Sequence, residues 1–312
     1  MPKCLISFGA NIGDPAETIH RAVELLQARL TRSQLPLAVS RFYRTPPVGG
    51  PEGQPPFINA VAAAEVDGNA WDAWQAIREV EELLGRRRLE RWEARRIDLD
   101  ILLFEDARIW TPQFKVPHPR MCMRRFILEP AADVAADWID PVSGWSIEQL
   151  AQRLRGRAAS LTVVGSESGP VRDCVEQAAE IARAAWIRPA VIAASSDRVT
   201  ASMRSGERHI GWLSWDEIEG TPSGANGRLR LDPLSNLMIA LADPVTVQGA
   251  AWEDFHRALS RRLHLHDSQE RENVWPFEGP RYLLASDDEK WAVHELVAAC
   301  EAMDCPVEPI KA

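Results

Sequence analysis

A chain of 312 residues, 46% of them hydrophobic, has the length of about two globular domains. It contains no run near the roughly 18 apolar residues of a membrane helix, and its first residues, Met-Pro-Lys-Cys-Leu-Ile-Ser, lack the basic and apolar stretches of a signal peptide. The net charge of −9 is lopsided: residues 1–160 hold 21 of the 36 Lys+Arg and 21 of the 45 Asp+Glu, so the whole acidic excess follows residue 160 and argues against a nucleic-acid surface there.

Lys3–Ala10 alternates and reads as a strand. Gly9–Pro15 is a turn in which Asp14 is placed to cap a helix and Pro15 to begin it, and Ile19, Val23, Leu26 and Leu30 give residues 15–30 an apolar stripe. Leu37–Tyr43 is a second strand. Residues 45–56 are too rich in Pro and Gly for regular structure, and a loop of that length suits a lid. Phe57–Val66 reads as a third strand and Trp71–Leu84 as a second helix closed by Gly85. An arginine-rich loop (Arg86, Arg87, Arg88, Arg91, Arg95, Arg96) then leads into a strand that ends at Phe104. The order β-α-β-β-α-β predicts an α+β, ferredoxin-like domain, an antiparallel sheet with helices on one face. Residues 105–155 add a short hairpin, a Pro-His-Pro turn and helical stretches near 125–136 and 146–155.

The fourth strand carries the chemistry. In Ile97-Asp98-Leu99-Asp100-Ile101-Leu102 the two acids are two apart, so they share one face while Leu99 and Ile101 share the other. Adjacent carboxylates repel unless a cation neutralises them, and Mg²⁺, which takes one or two carboxylates and completes its shell with water and phosphate, fits that need. An arginine run by itself is often only a solvated face. Beside two acids it suits a polyphosphate. Five cysteines (Cys4, Cys122, Cys174, Cys300, Cys305) are odd in number and without metal spacing, as expected of reduced thiols in a cytoplasmic protein.

Five blocks in register resemble the 6-hydroxymethyl-7,8-dihydropterin pyrophosphokinase family of folate biosynthesis, over about residues 3–155. They are Phe8-Gly9-Ala10-Asn11, Phe42-Tyr43-Arg44-Thr45-Pro46-Pro47, Phe57-Ile58-Asn59-Ala60, Arg91 through Leu102, and Val116-Pro117-His118-Pro119-Arg120. The resemblance implies transfer of the β,γ-pyrophosphoryl group of ATP to the pterin hydroxymethyl group, leaving AMP. It implies that Asp98 and Asp100 hold two Mg²⁺ ions and that Arg86 and Arg95 contact the phosphates. Trp92, Arg88 and the rest of the arginine loop would close over the nucleotide, with Ile101, His118 and Arg124 on its side of the site. Asn59 would read the pterin edge, Phe57 and Phe126 would sandwich its ring, and Thr45, Pro46 and Val48 would offer backbone groups. Three departures stand out: Phe57 where the family often has Tyr, Glu93-Ala94 where it often has Gly-Pro, and a segment from Gly85 to Trp92 about one residue short. The rival from another class is a non-catalytic nucleotide- or pterin-binding regulator that kept the fold.

The expected domains are 1–164, a linker at 165–172 around Gly165-Ser166-Glu167-Ser168-Gly169-Pro170, and 173–312. The second domain opens with a helix at about 172–186. Segments 191–197, 238–243 and 282–288 read as buried strands ending in acids (Asp197, Asp243, Asp287), which suggests a parallel α/β sheet. Those acids are helix caps or the rim of a ligand site. Trp212, Trp215, Trp252, Trp275 and Trp291 belong to a core or to an interface. This half resembles no folate enzyme, and is read as a ligand-binding module or one that makes homo-oligomers.

Overall fold

Alternation along one strand organises the first half. Cys4, Ile6, Phe8 and Ala10 of β1 (Lys3–Ala10) turn to one side and pack with Ile58, Ala60, Ala62 and Ala64 of β4 (Phe57–Glu65) and with Leu99 and Ile101 of β5 (Asp98–Phe104). The same core takes in Ile19, Ala22 and Leu26 of α1 (Pro15–Leu30) and Ala73, Ile77 and Val80 of α2 (Ala70–Leu83). Each large apolar side chain buried there contributes roughly 1.5–3 kcal/mol. The computed structural model describes the chain except residues 32–35, 52, 86–94, 167–168, 194–205, 222–228, 233–234, 243–257, 264, 266–274, 276, 278, 286–287 and 311–312. It divides into a first unit (Met1–Pro141, Trp145–Gln152, Cys305–Ala312) and a second (Val142–Gly144, Arg153–Asp304).

Local signals explain both helices of the first core. Asp14 accepts the Glu17 N–H at the start of α1, with Pro15 in the first helical position. Asn69 and Asp72 form a reciprocal capping box at the start of α2, and Gly85, at φ +79°, ends that helix in a conformation that favours glycine. The expected strand 37–43 is instead two pieces, β2 (Ala38–Val39) and β3 (Tyr43–Thr45). Ser40 splits it: its N–H donates to the Val61 carbonyl, while its hydroxyl accepts the Val61 N–H and so stands in for a backbone group.

The sheet runs β3-β4-β1-β5, antiparallel at each of these pairings. Leu5 pairs with Leu103 but Ile6 with Ile101, so Leu102 is an extra residue, a bulge that keeps Ile101 and Phe104 on the helix side. The hairpin of β6 (Ile109–Trp110) and β7 (Lys115–Val116) follows. Next come a 3-10 turn at Met121–Met123, α3 (Arg125–Ala135) and α4 (Ile147–Leu154). Helices occupy both faces of the sheet, since α3 packs on β4, β3 and β1 without entering the α1–α2 core.

Asp133 ties α3 to the broken edge. Its carboxylate accepts the Arg41 N–H at 3.2 Å, the Arg41 guanidinium at 2.6 and 3.0 Å and the Tyr43 hydroxyl at 2.9 Å. Burial tends to raise this carboxyl, but the hydrogen bonds from Arg41 and Tyr43 outweigh it and hold it below its ordinary value. Burial, with the Asp133 contact second, pushes the Tyr43 phenol up to about 12.

The second unit is built on a parallel sheet. β8 (Ser160–Gly165) lies at its centre, with β11 (His209–Ser214) and β9 (Ala185–Ile187) to one side and β13 (Leu237–Ala242) and β14 (Arg281–Ala285) to the other. α5 (Gly169–Ile181) packs on α7 (Glu289–Asp304), while α6 (Trp215–Glu219) follows β11 directly. β10 (Ala190–Ala193) pairs antiparallel with β12 (Leu229–Asp232) apart from that sheet, so the segment expected at 191–197 is not one of the parallel strands.

The expected boundary also moves. Ser160–Gly165, placed by the sequence at the end of the first domain, is the buried central strand of the second unit, and of the expected linker 165–172 Gly165 ends that strand while residues 169–172 already belong to α5. Gly165 permits the close approach of α5: a Cβ there would sit 2.6 Å from Val171 Cγ1. The opening helix ends at Ile181, not near 186, and Arg183 follows at φ +52° before the chain enters β9. Trp212 and Trp275 are core residues. Asp197, Asp243, Asp287 and Trp252 lie outside the described residues.

Asp133→Ala is expected to weaken the first unit by about 1–2 kcal/mol at pH 7, through the lost Tyr43 hydroxyl and Arg41 N–H contacts. Because the folded-state carboxyl is lowered, its stabilisation is complete above the unfolded value and fades as pH falls through the lowered one. Urea unfolding at pH 7 and pH 3 checks this; a wild-type-to-variant gap that is equal at both would contradict it.

Candidate active site

The sheet face opposite the α1–α2 core presents a row of polar residues. Tyr43 pairs with Asn59, Asn59 with Gly9, and Gly9 with Asp98, so one line crosses four strands. One pleat further along, Ser7 pairs with Asp100. Cross-strand partners share a face, and residues two apart on a strand do too. Asn59, Gly9, Ser7, Asp98 and Asp100 therefore lie on one surface. Asn59 and Asp98 are two strand spacings apart, roughly 10 Å. Between them Gly9 leaves the strand bare; a Cβ there would come 3.3 Å from Asn59 Oδ1, so the amide would have to yield by a few tenths of an ångström.

The two carboxylates differ in their partners. Arg95 Nη1 is 2.7 Å from Asp98 Oδ2, and both side chains are 26% exposed. Asp100 is 40% exposed, with His118 Nε2 3.7 Å from its Oδ2. The other ring nitrogen, Nδ1, accepts the Arg120 N–H at 3.2 Å, which leaves the proton of the neutral ring on Nε2, facing Asp100. Burial, then Arg124 and Arg120, push this imidazole well below its ordinary pKa against the pull of Asp98, so neutral is its resting state. The bulge of β5 fixes the height of this turn: the Leu102 carbonyl accepts the His118 N–H at 2.9 Å.

At the positions expected to meet the pterin, Asn59 is buried and its Nδ2 donates to Thr45 Oγ1 at 2.8 Å. Phe57 stands opposite Thr45 in register and is half-buried, as are Phe126 and Val48, while Pro46 is exposed. The Arg124 guanidinium lies 5.6 Å from the centre of the Phe126 ring. Ile101 lies on the face that alternation gives it: its side chain is 5% exposed in the α1–α2 core, on the far side of β5 from the acids. Strand alternation requires this, so only its backbone is left to meet a ligand. Arg86, Arg88, Trp92 and Glu93 lie outside the described residues.

Two further residues position the site. Asn11, just after β1, is buried and holds Arg95 from both sides of its backbone: Asn11 N–H donates to the Arg95 carbonyl at 3.0 Å and Asn11 Oδ1 accepts the Arg95 N–H at 2.7 Å. Its Nδ2 also donates to the Pro55 carbonyl at 3.2 Å, which joins the exit of the arginine loop to the Pro/Gly loop. Glu81, buried on α2, accepts the N–H of Leu99 at 2.9 Å, between the two acids. A carboxylate inside the apolar stripe Ile77, Val80, Leu84 was the sequence signal for Glu81. Asn11 had only its place in a family block.

The family model for 7,8-dihydro-6-hydroxymethylpterin-pyrophosphokinase (HPPK) matches residues 5–136. Three proteins named 2-amino-4-hydroxy-6-hydroxymethyldihydropteridine pyrophosphokinase are similar. That of Pseudomonas aeruginosa is 40% identical over 135 residues, 43% of this chain and 82% of the relative. That of Bacillus subtilis is 40% identical over 131 residues, 41% of this chain and 75% of the relative. That of Synechocystis sp. is 32% identical over 165 residues, 53% of this chain and 83% of the relative. A crystal structure of Plasmodium falciparum HPPK-DHPS aligns at a TM-score of 0.36 and 12% identity, over 60% of this chain and 56% of that one. The relatives cover the half of the chain that carries the acidic strand, the Asn59 row and the His118 turn, and through that half the chain belongs to the 7,8-dihydro-6-hydroxymethylpterin-pyrophosphokinase family.

Proposed function

We propose that the first unit transfers the pyrophosphoryl group of ATP to the hydroxymethyl group of 6-hydroxymethyl-7,8-dihydropterin, giving the pterin diphosphate and AMP in folate biosynthesis. The observation that carries this reading is the line Asn59–Gly9–Asp98. A flat bicyclic ring read at Asn59 lies over the bare strand at Gly9, and a substituent on its far edge reaches the carboxylates roughly 10 Å away. With Nδ2 donating to Thr45, Asn59 keeps Oδ1 for a ring N–H. Phe57 and Phe126 supply the walls of the slot, and the backbone of Thr45, Pro46 and Val48 supplies the remaining polar contacts.

On the nucleotide side, Arg95 is a described cation paired with Asp98, and the family resemblance assigns Arg86, Arg88 and Trp92 to the nucleotide as well. A guanidinium already held at Asp98 is positioned before ATP arrives, which lowers the entropic cost of clamping it. Neutral His118 donates from Nε2 toward Asp100 or a phosphate oxygen, and Arg124 adds charge beside it. Asp98 and Asp100 form an all-oxygen, partly exposed pair that suits Mg²⁺. Two such ions, when bound, neutralise phosphate charge and stabilise the attacking and leaving oxygens. No side chain is needed as a covalent partner, since phosphoryl chemistry asks the protein for positioning and charge.

The strand order β3-β4-β1-β5, with the α1 and α2 crossovers on one face, supports the ferredoxin-like reading of this unit. The second unit is read as an α/β module for ligand binding or oligomerisation, its five parallel strands being the support for α/β. Five buried free thiols suit a reducing, cytoplasmic setting.

Incubation with ATP, Mg²⁺ and the pterin is expected to release AMP only when the pterin is present. ADP in its place would mean ordinary phosphoryl transfer, and no product would favour a regulator that kept the fold. Asp98→Ala and Asp100→Ala are each expected to cut turnover by about 10²–10³, the scale of losing a preorganised charge at the reacting centre, and to leave pterin binding intact. Equal turnover in either variant would remove that carboxylate from the metal site. Arg95→Ala is expected to slow transfer and raise KM for ATP; an effect confined to pterin affinity would place the loop elsewhere.

A further inference from the structure

After α7 the chain leaves the second unit and adds a strand to the sheet of the first. β15 (Glu308–Pro309) pairs antiparallel with β3, Glu308 opposite Arg44 and Pro309 opposite Tyr43. The Ile310 N–H donates to the Phe42 carbonyl at 2.8 Å, and the Ile310 side chain packs against the core under β1 and β4. Facing residues of an antiparallel pair alternate between hydrogen-bonded and non-hydrogen-bonded positions. With Ile310 opposite Phe42 bonded, Pro309 falls at a non-bonded position, where a missing N–H costs nothing. The strand is thus fitted in sequence to the place it occupies, and the acid Glu308 faces the base Arg44.

Of all the edges in the sheet, β3 is the one next to the pterin-side groups. It has three residues, and on its other side it pairs with β4 through Asn59, Ile58 and Phe57. It ends at Thr45, whose hydroxyl holds the Asn59 amide, and runs on into Pro46 and Val48. A three-residue strand bonded on one side alone is a weak support for such a group, and an uncovered edge leaves a row of unpaired backbone groups. We propose that β15 is a positioning element of the pterin subsite: by pairing with β3 it fixes Thr45, and through Thr45 the orientation of the Asn59 amide and the first residues of the Pro/Gly loop. Ile310 is its anchor and a positioning residue. This rests on the assignment of Asn59 to the pterin, and it gives residues beyond the second unit a part in the chemistry of the first.

The test uses the full chain with Ile310→Pro, which removes the N–H given to Phe42, with Glu308→Pro, which breaks the ladder opposite Arg44, and with the conservative Ile310→Val. Both proline variants are expected to raise KM for the pterin about fivefold to tenfold, the equivalent of one hydrogen bond. KM for ATP and kcat stay at the wild-type values, and Ile310→Val behaves as wild type. Amide exchange at residues 43–45, measured without substrate, becomes faster in the proline variants. An unchanged pterin KM with unchanged exchange would overturn the proposal. So would a joint loss in kcat and both KM values, which is the mark of general damage. If the wild-type protein makes no pterin-dependent AMP, it is the pyrophosphokinase reading that fails, and the exchange rates at residues 43–45 still decide whether β15 holds β3.

Discussion

The pairing of β1 with β4 on one side and β5 on the other is the constraint on which the rest of the first unit depends. It converts a two-residue period into two surfaces with opposite chemistry: Cys4, Ile6, Phe8 and Ala10 go into the helix-side core, and Ser7 and Gly9 come out beside Asn59, Asp98 and Asp100. A slip of one residue in the β1–β5 ladder would bury two carboxylates and expose Leu99 and Ile101. Burying an unpaired carboxylate costs several kcal/mol, so the register of the site is protected by the same energy that forms the core. The bulge at Leu102 shows how tightly this is held: one extra residue is absorbed there, alternation resumes on both sides, and the freed carbonyl anchors the His118 turn.

Asp98 and Asp100 are fixed by the same frame. The carboxylates are on a strand hydrogen-bonded along its length to the central strand. Just ahead of that strand, Asn11 fixes the Arg95 backbone through both its N–H and its carbonyl. Asp98 is held by Arg95, and a neutral imidazole, in place of a second cation, faces Asp100. A neutral neighbour does not offset the negative charge of Asp100 as a second cation would.

What the sequence revealed was local. Asp14-Pro15, the apolar stripes of α1 and α2, Gly85 and the alternation around Asp98 are each decided within a few residues, and α1, α2, β1, β4 and β5 form where those signals place them. The features that escaped are decided by distant partners. Ser40 breaks a strand because Val61 is opposite it. Gly165-Ser166-Glu167-Ser168-Gly169-Pro170 has the composition of a linker, and its Gly165 in fact serves the tight approach of α5 to a buried strand. Ser160–Gly165 becomes a central strand only when β11 and β13 arrive from 40 to 80 residues later.

Both outer edges of the first sheet are closed, each beside a site residue and each by a long-range partner. At the β5 edge, Glu81 of α2 takes the Leu99 N–H between the two acids. At the β3 edge, β15 does the same for the strand that delivers Thr45. The devices differ because the edges differ. The β5 edge lies under a helix, so one buried carboxylate suffices to satisfy a donor that water cannot reach. The β3 edge is open, so it needs a ladder. A carboxylate supplied by α2 comes from the fold's own crossover, whereas β15 must be carried back by the chain that follows α7. The strand that carries Thr45 is thus supported by residues that follow the second unit in the chain, whereas the donor between Asp98 and Asp100 is satisfied from α2, the helix that precedes their own strand.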